Sequence, residues 1–362
     1  MSGTNNQCMQ SRHNAHKPLR ILCLHNAENQ ASYRYRVKLF LPAWHQYGIE
    51  MHPICIVGKN YKDKIILALK SKEYDYIWLQ RKPLSQFLVN IIASRSKLIY
   101  DIDDALYTRQ SGSAGKLKSS KPGSVKMIKR INHIIRKASL VFAGSNELAL
   151  YASKYNQDAV RLIPTAFNAP ENSCLSIPDK NHQLTIGWIG TNGNLPYLKL
   201  IDDATHEIQK HHCNILFSVM SGRPPEDLKT NWQFVPWSID SEKHWLQSID
   251  IGIMPLLDDE WSRGKCAFKL IQYMAYGKPV IASDVGANKT TVEHGRNGFL
   301  ARSSENWSEY MNILILDEKI RSSMGQESKK IFFSSFERQI IQDTIADILF
   351  KYITNECPKT NS

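Results

Sequence analysis

Residues 74–103 read YDYIWLQRKPLSQFLVNIIASRSKLIYDID. An apolar run at 74–80 leads through a proline-bearing turn into a stretch near 84–95 that reads as a helix, and a second apolar run follows at 97–103. Both runs are continuously apolar instead of alternating, so both of their faces are expected to be buried. Strand, helix and strand at this interval are the unit of a parallel, doubly wound sheet. The same unit extends in both directions. Upstream stand LRILCLHN (19–26), a helical stretch with Val37, Phe40, Leu41 and Trp44 at i, i+3, i+4, i+7, MHPICIVG (51–58) and a helix near 61–71. Downstream, SLVFAGS (139–145) and VRLIPT (160–165) supply two more strands.

Between 166 and 183 the pattern lapses into AFNAPENSCLSIPDKNHQ, a linker with two prolines. A second series then opens with LTIGWIG (184–190) and NILFSVMSG (214–222), and continues with WQFVPW (232–237), DIGIMPL (250–256), KPVIAS (278–283) and GFLA (298–301). Helices are expected near 195–211, 241–248, 266–276 and 305–315. After Phe336, the residues Ile340, Ile341, Ile345, Ile348, Leu349 and Ile353 mark one long amphipathic helix. A chain of 362 residues also exceeds what one core holds, roughly 250–300. The expected division is a disordered 1–18, a first α/β domain at 19–168 and a second at 183–335.

Composition narrows the function. The net charge of +12 is uneven: residues 1–165 carry +16 and residues 166–362 carry −4. A basic half suggests an anionic partner, whether nucleic acid, an acidic membrane surface or a phosphorylated substrate. Seven scattered cysteines with no CxxC and no Cys/His ligand spacing argue against a zinc site or a disulfide framework, and suit a reducing cytoplasm. The polar first eighteen residues hold no signal-peptide core, and no apolar run reaches the roughly 18 residues of a spanning helix.

Two segments could carry chemistry. In the turn Gly190-Thr191-Asn192-Gly193-Asn194, glycines let backbone approach a ligand, and a following helix N-terminus offers N–H groups to phosphate. By itself this also reads as an ordinary strand-to-helix turn. The second segment runs from Asp258 to Val280, with Arg263, Lys265, Lys269 and Gln272 at the start of the 266–276 helix and Gly277-Lys278-Pro279 stopping it. Lys265 and Lys269 stand one turn apart. Cations there can neutralise a diphosphate, and an amide can pair with ribose hydroxyls. The bland alternative is a solvated face with two ordinary lysines.

The stretch WSRGKCAFKLIQYMAYGKPVIASDVGANKTTVEHGRNGFLA (261–301) resembles the donor-site signature of glycosyltransferase family 4, the group 1 glycosyltransferases of GT-B fold. Ser32-Tyr33-Arg34-Tyr35-Arg36-Val37, Leu79-Gln80-Arg81, Tyr100 to Leu106 and LTIGWIGTNGN (184–194) extend the resemblance over nearly the whole chain beyond residue 18. It implies two Rossmann-like, doubly wound domains facing a cleft, with the last helix (336–355) crossing back onto the first domain. The second domain would hold a nucleotide diphosphate sugar as co-substrate through Gly190, Thr191, Asn192, Arg263, Lys265, Lys269 and Gln272. The first would hold the acceptor. The resemblance further implies retention of anomeric configuration with neither metal nor other cofactor, so lysine and helix dipoles must meet the leaving-group charge, Lys265 foremost. Departures stand beside the match. Gly264 and Gln272 occupy the positions of two family glutamates, and Thr290 stands where a further glutamate often lies.

Asp101, Asp103 and Asp104 close a strand of the first domain, where parallel sheets bind ligands. Asp103 or Asp104 could, as a catalytic group, deprotonate an acceptor hydroxyl or orient the donor sugar, or Asp103 could cap the next segment and Asp104 pair with Arg34, Arg36 or Arg81. Arg34, Arg36 and Arg81 suit an anionic acceptor such as a lipid diphosphate, although Arg34 and Arg36, at i and i+2, need not both face it. From Ser111 to Leu140 there are eight cations and no acid. That run suits docking on anionic lipid, or forms the solvated face of a core helix. Nothing but charge favours nucleic acid. The expectation is a cytoplasmic glycosyltransferase, peripheral on the inner face of the plasma membrane, acting on a lipid-linked glycan in surface polysaccharide or lipopolysaccharide assembly. Its rival is a non-catalytic nucleotide-sugar-binding or scaffold protein of the same fold.

Overall fold

The computed structural model describes residues 17–113, 116–170 and 183–354. Most of the segment expected to be disordered (1–16) and most of the expected linker (171–182) lie outside the described residues.

The first sheet has six parallel strands: β1 (Leu19–His25), β2 (Ile49–Cys55), β3 (Tyr76–Gln80), β4 (Lys97–Ile102), β5 (Leu140–Ala143) and β6 (Val160–Leu162), ordered β2-β1-β3-β4-β5-β6. The order reverses at β1, so the loops after β1, β3 and β4 meet at one edge, where open α/β sheets bind ligands. The double burial read from the sequence follows from side-chain alternation. Ile21, Cys23, Trp78, Ile99 and Phe142 pack on one face, and Leu22, Leu24, Ile77, Leu79 and Tyr100 on the other. Helices α1 (Ala31–Arg36), α2 (Tyr61–Lys70), α3 (Gln86–Ala93), α4 (Val125–Lys137) and α5 (Asn146–Asn156) connect these strands. Side-chain oxygens of Asn60, Ser85, Ser124 and Ser145 cap α2 to α5, each accepting from a backbone N–H three residues on.

The second sheet repeats the plan with β7 (Leu184–Ile189), β8 (Ile215–Ser221), β9 (Trp232–Pro236), β10 (Ile251–Met254), β11 (Val280–Ser283) and β12 (Gly298–Ala301), ordered β9-β8-β7-β10-β11-β12 and parallel throughout. Its α-helices are α6 (Asp202–His211), α7 (Ile239–Ser248), α8 (Glu260–Arg263), α9 (Phe268–Ala275), α10 (Asn288–Thr291), α11 (Ser304–Leu316) and α12 (Glu318–Ser335). The expected 195–211 helix opens as a 3-10 segment, Asn192–Leu200, with Pro196 inside it, and turns α-helical only at Asp202. The pattern did not announce α12. Its buried side presents Met324, Gly325, Ser328 and Phe332, and two small residues among four carry little hydropathy.

The chain crosses back at its end. Phe167 and the Phe336–Arg338 stretch exchange backbone hydrogen bonds, and α13 (Arg338–Thr354) returns to the first domain. There Ile341, Ile345 and Leu349 join the core of Phe40, Trp44 and Tyr76, and the Gln342 amide donates to the Phe40 carbonyl. Two doubly wound domains facing a cleft, the GT-B arrangement, are what the chain builds.

Candidate active site

The carboxyl ends of both sheets face each other across a cavity of about 740 Å³. From the second domain, Gly190, Thr191 and Asn192 line it after β7, and Lys265, Lys269 and Gln272 line it around α9. From the first, Arg34, Arg81, Asp103 and Asp104 reach the same space. The fold thus gathers most of the candidate residues in one place.

On the donor side the backbone departs from the continuous 266–276 helix. Ala267 adopts φ 52°, in the left-handed region, so α9 begins at Phe268 and Lys265 stands on the turn before it. Both lysines still point into the cleft. The Lys265 ammonium sits 5.0 Å from the Trp261 ring and 3.5 Å from Asn194 Oδ1, and that of Lys269 lies 4.7 Å over Trp188. Neither makes an ion pair among the described residues. Burial lowers the pKa of both; Asp104 partly offsets this for Lys265, while Lys265 adds to it for Lys269, which falls to about 7. Two half-buried cations with no ion pair among the described residues form a site prepared for an anion. Gly190 makes room for Lys269, because a Cβ there would lie 3.0 Å from Lys269 Cε and 2.5 Å from the Trp188 ring. Arg263 does not join them. The short α8 turns it outward, half-exposed, where its Nε donates to Asp258 Oδ1 at 2.6 Å.

Gln272 is buried, and its amide donates to Glu242 Oε1 at 3.0 Å. Glu242, 7% exposed, also lines the cavity and also accepts from Tyr35 OH (2.7 Å) and Trp237 Nε1 (2.6 Å). Motif reading passed over it. The signal available was a carboxylate in the turn and first helical residues after β9, again at a strand's carboxyl end. Arg34 completes this chain: it donates to Tyr35 OH at 2.9 Å and lies 5.2 Å from the Trp237 ring.

On the acceptor side the arginines separate. Arg36 was a candidate for the acceptor, but it is 3% exposed and clamped on Asp101, with Nη2 to Oδ1 at 2.6 Å and further bonds to the Ile163 carbonyl and Thr165. It fastens α1 to β4 and is out of reach of a ligand. Arg81, at φ 61° just after β3, aims at the aspartates, 2.6 Å from Asp104 and 3.7 Å from Asp103. The two carboxylates thereby differ. Asp104 is tightly paired, whereas Asp103 Oδ1 is buried with no hydrogen-bond partner, and burial, partly offset by Arg81, pushes its pKa up to about 6.

The departure at 264 has a steric account. A Cβ on Gly264 would lie 2.6 Å from the Ala105 Cβ and 3.2 Å from the Ala105 nitrogen, so the first domain closes on the bare backbone. Thr290 is exposed on α10, donating to the Ala287 carbonyl of its own turn, and is absent from the cavity wall. Nearby, Asp259 Oδ2 accepts from Ser111 Oγ and the Ser120 nitrogen, tying the two domains beside the cleft.

Residues 183–317 match the family described as Glycosyl transferases group 1. Spore coat protein SA of Bacillus subtilis (strain 168) is 30% identical over 81 residues, a stretch spanning 22% of each protein. Among solved structures, HepE of Anabaena in complex with UDP and glucose superposes with a TM-score of 0.67 at 16% identity, over 92% of this chain and all of that one. A glycosyltransferase from Rickettsia africae gives 0.70 at 14% identity, over 94% and 100%. Sucrose-phosphate synthase from Thermosynechococcus elongatus gives 0.68 at 12%, over 93% and 100%. At these identities the superpositions establish a shared fold.

Proposed function

We propose that this group 1 glycosyltransferase moves a sugar from a nucleotide diphosphate sugar to a hydroxyl of a lipid-linked glycan, with retention and without a metal ion, in surface polysaccharide assembly. The observation that carries the reading is the pair of half-buried ammonium groups of Lys265 and Lys269 in the interdomain cleft, neither in an ion pair among the described residues. A diphosphate is the ligand whose charge they would match, and the complexes of HepE with UDP and with UDP-glucose have the same fold. As the bond from the sugar carbon to the diphosphate oxygen breaks, the electron pair passes to that oxygen, and cations already in place stabilise it without reorganising. The acceptor oxygen forms the new bond, and its proton passes to the departing phosphate. Asp103, beside Arg81 at the opposite wall, would accept a hydrogen bond from that hydroxyl through its carboxylate and orient it. Arg34 is the acceptor-side cation left facing the cavity, since Arg36 and Arg81 are held by aspartates.

The test joins binding to turnover. Nucleoside diphosphates and their sugars should raise the thermal stability of the protein, and the best donor should be hydrolysed or transferred. Lys265→Ala should lower turnover about 10²–10³-fold, the scale of a lost transition-state contact, with an unchanged circular dichroism spectrum. Full activity in that variant would move the diphosphate elsewhere. Binding with no hydrolysis or transfer of any donor would favour a non-catalytic binding protein.

A further inference from the structure

Resting on that nucleotide-sugar reading, we infer that Glu242 reads the ribose of the donor, supplying from α7 a carboxylate that α9 lacks. Lys269 and Gln272 are three residues apart on α9 and so share one side of it, one turn apart. With phosphate at Lys269, the next group of the ligand falls beside Gln272 and therefore beside Glu242, whose carboxylate accepts the Gln272 amide.

Glu242 is equipped to receive a ligand there. It is buried and makes no ion pair among the described residues; three neutral donors hold it instead, Tyr35 OH and Gln272 Nε2 on Oε1 and Trp237 Nε1 on Oε2. A carboxylate offers about four acceptor sites, so one on Oε2 remains. Arg34 donates to the Tyr35 hydroxyl and lies over the Tyr35 and Trp237 rings, which pass the cation's influence on without an ion pair to the acid among the described residues. A buried, acceptor-only group that opens on a cavity selects hydroxyl or N–H donors in whatever enters. Gln272, lining the same wall, brings an amide oxygen as a second acceptor beside that carboxylate. Two adjacent acceptors match the vicinal hydroxyls of ribose, and a 2′-deoxyribose satisfies only one of them.

The discriminating measurement is calorimetric binding of UDP and GDP, each beside its 2′-deoxy counterpart. The wild-type protein should bind the ribose form at least about tenfold more tightly, the scale of a hydrogen bond to a charged acceptor. Glu242→Gln should bring the two forms within about twofold of each other. Should its new amide, facing the Trp237 N–H, prevent folding, Glu242→Asp keeps the charge, withdraws its reach by a methylene and should lose the preference too. A merely structural glutamate would weaken ribose and deoxyribose forms alike, and a preference that survives in either folded variant overturns the assignment. Tight binding without any preference in the wild-type protein overturns it as well. If none of the four nucleotides binds, the nucleotide reading fails and this one with it.

Discussion

Among the described residues, the Lys269 ammonium lies over the Trp188 ring with Lys265 for a charged neighbour, and its pKa of about 7 leaves it half charged near neutrality. The sign of the consequence follows. In the unfolded chain this lysine titrates at its ordinary, higher pKa, so folding releases a proton between about pH 7 and 10.4, and stability falls as pH is lowered through that window. A bound diphosphate reverses the preference, because it favours the charged form. Affinity for a nucleoside diphosphate should therefore be highest below pH 7 and weaken by up to about tenfold per unit above it. Lys269→Met should flatten that profile in calorimetric titrations at pH 6, 7 and 8.5; an equally steep profile in the variant would assign the proton to another group. Residue by residue, the sequence reading located the lysines because they flank a helix start. It could not separate Arg34 from Arg36, since only the folded position of Asp101 decides which arginine is consumed. It overvalued Arg263, whose direction depends on a four-residue helix that hydropathy does not register. Glu242 escaped because its partners Tyr35 and Gln272 lie 207 and 30 residues away in the chain.

At the scale of elements, the turn from α8 to α9 does what the expected continuous helix could not. Its left-handed Ala267 moves the start of the helix to Phe268, so that Lys265 leaves the turn toward Trp261 while Lys269 follows the helix over Trp188. The same turn brings Gly264 against Ala105. Restoring a carboxylate by Gly264→Glu should therefore reduce activity instead of raising it. Overpacking at a closed interface costs about 1–3 kcal/mol, and the side chain would hold the domains apart beside Lys265. A lower melting temperature with reduced transfer is expected, and Ala105→Gly in the same chain should recover part of both by removing the closer contact. Higher activity in Gly264→Glu alone would show that the cleft opens freely at this point. Strands were legible as continuous apolar runs because both faces of each sheet are covered. Helix boundaries were less so wherever a cap, a left-handed residue or a 3-10 segment, as at Asn192–Leu200, sets them without changing hydropathy.

Across the whole molecule, the +16 of the first half acquires a direction. The isoleucines of α4 that looked amphipathic are core: Ile131, Ile134 and Ile135 are buried, which leaves Lys126, Lys129 and Lys137 outward with no ion pair among the described residues. Helices of a parallel sheet begin where strands end, so the first turns of α2, α3 and α4 stand at the same rim as the cleft. Each carries an exposed apolar side chain: Tyr61 at 52%, Phe87 at 57% and Val125 at 68%. Tyr61 OH meets Ser85 Oγ at 3.2 Å, which sets the first two of these turns side by side. No helix among the described residues is long and apolar enough to cross a membrane. Cations above an apolar rim suit docking on an anionic bilayer. In cosedimentation, the protein should bind vesicles containing anionic lipid and pass over neutral ones. Neutralising Lys126, Lys129 and the half-exposed Arg130 to glutamine should weaken that binding by about a hundredfold, each near-surface cation contributing about 1 kcal/mol. Phe87→Ser with Val125→Ser should weaken it at high salt, where screening leaves the apolar contact as the larger part. All five positions lie off the cavity wall, so hydrolysis of a soluble donor should be unchanged in every one of these variants. Equal binding to neutral and anionic vesicles would refute the electrostatic account and return the basic face to the role of a solvated surface.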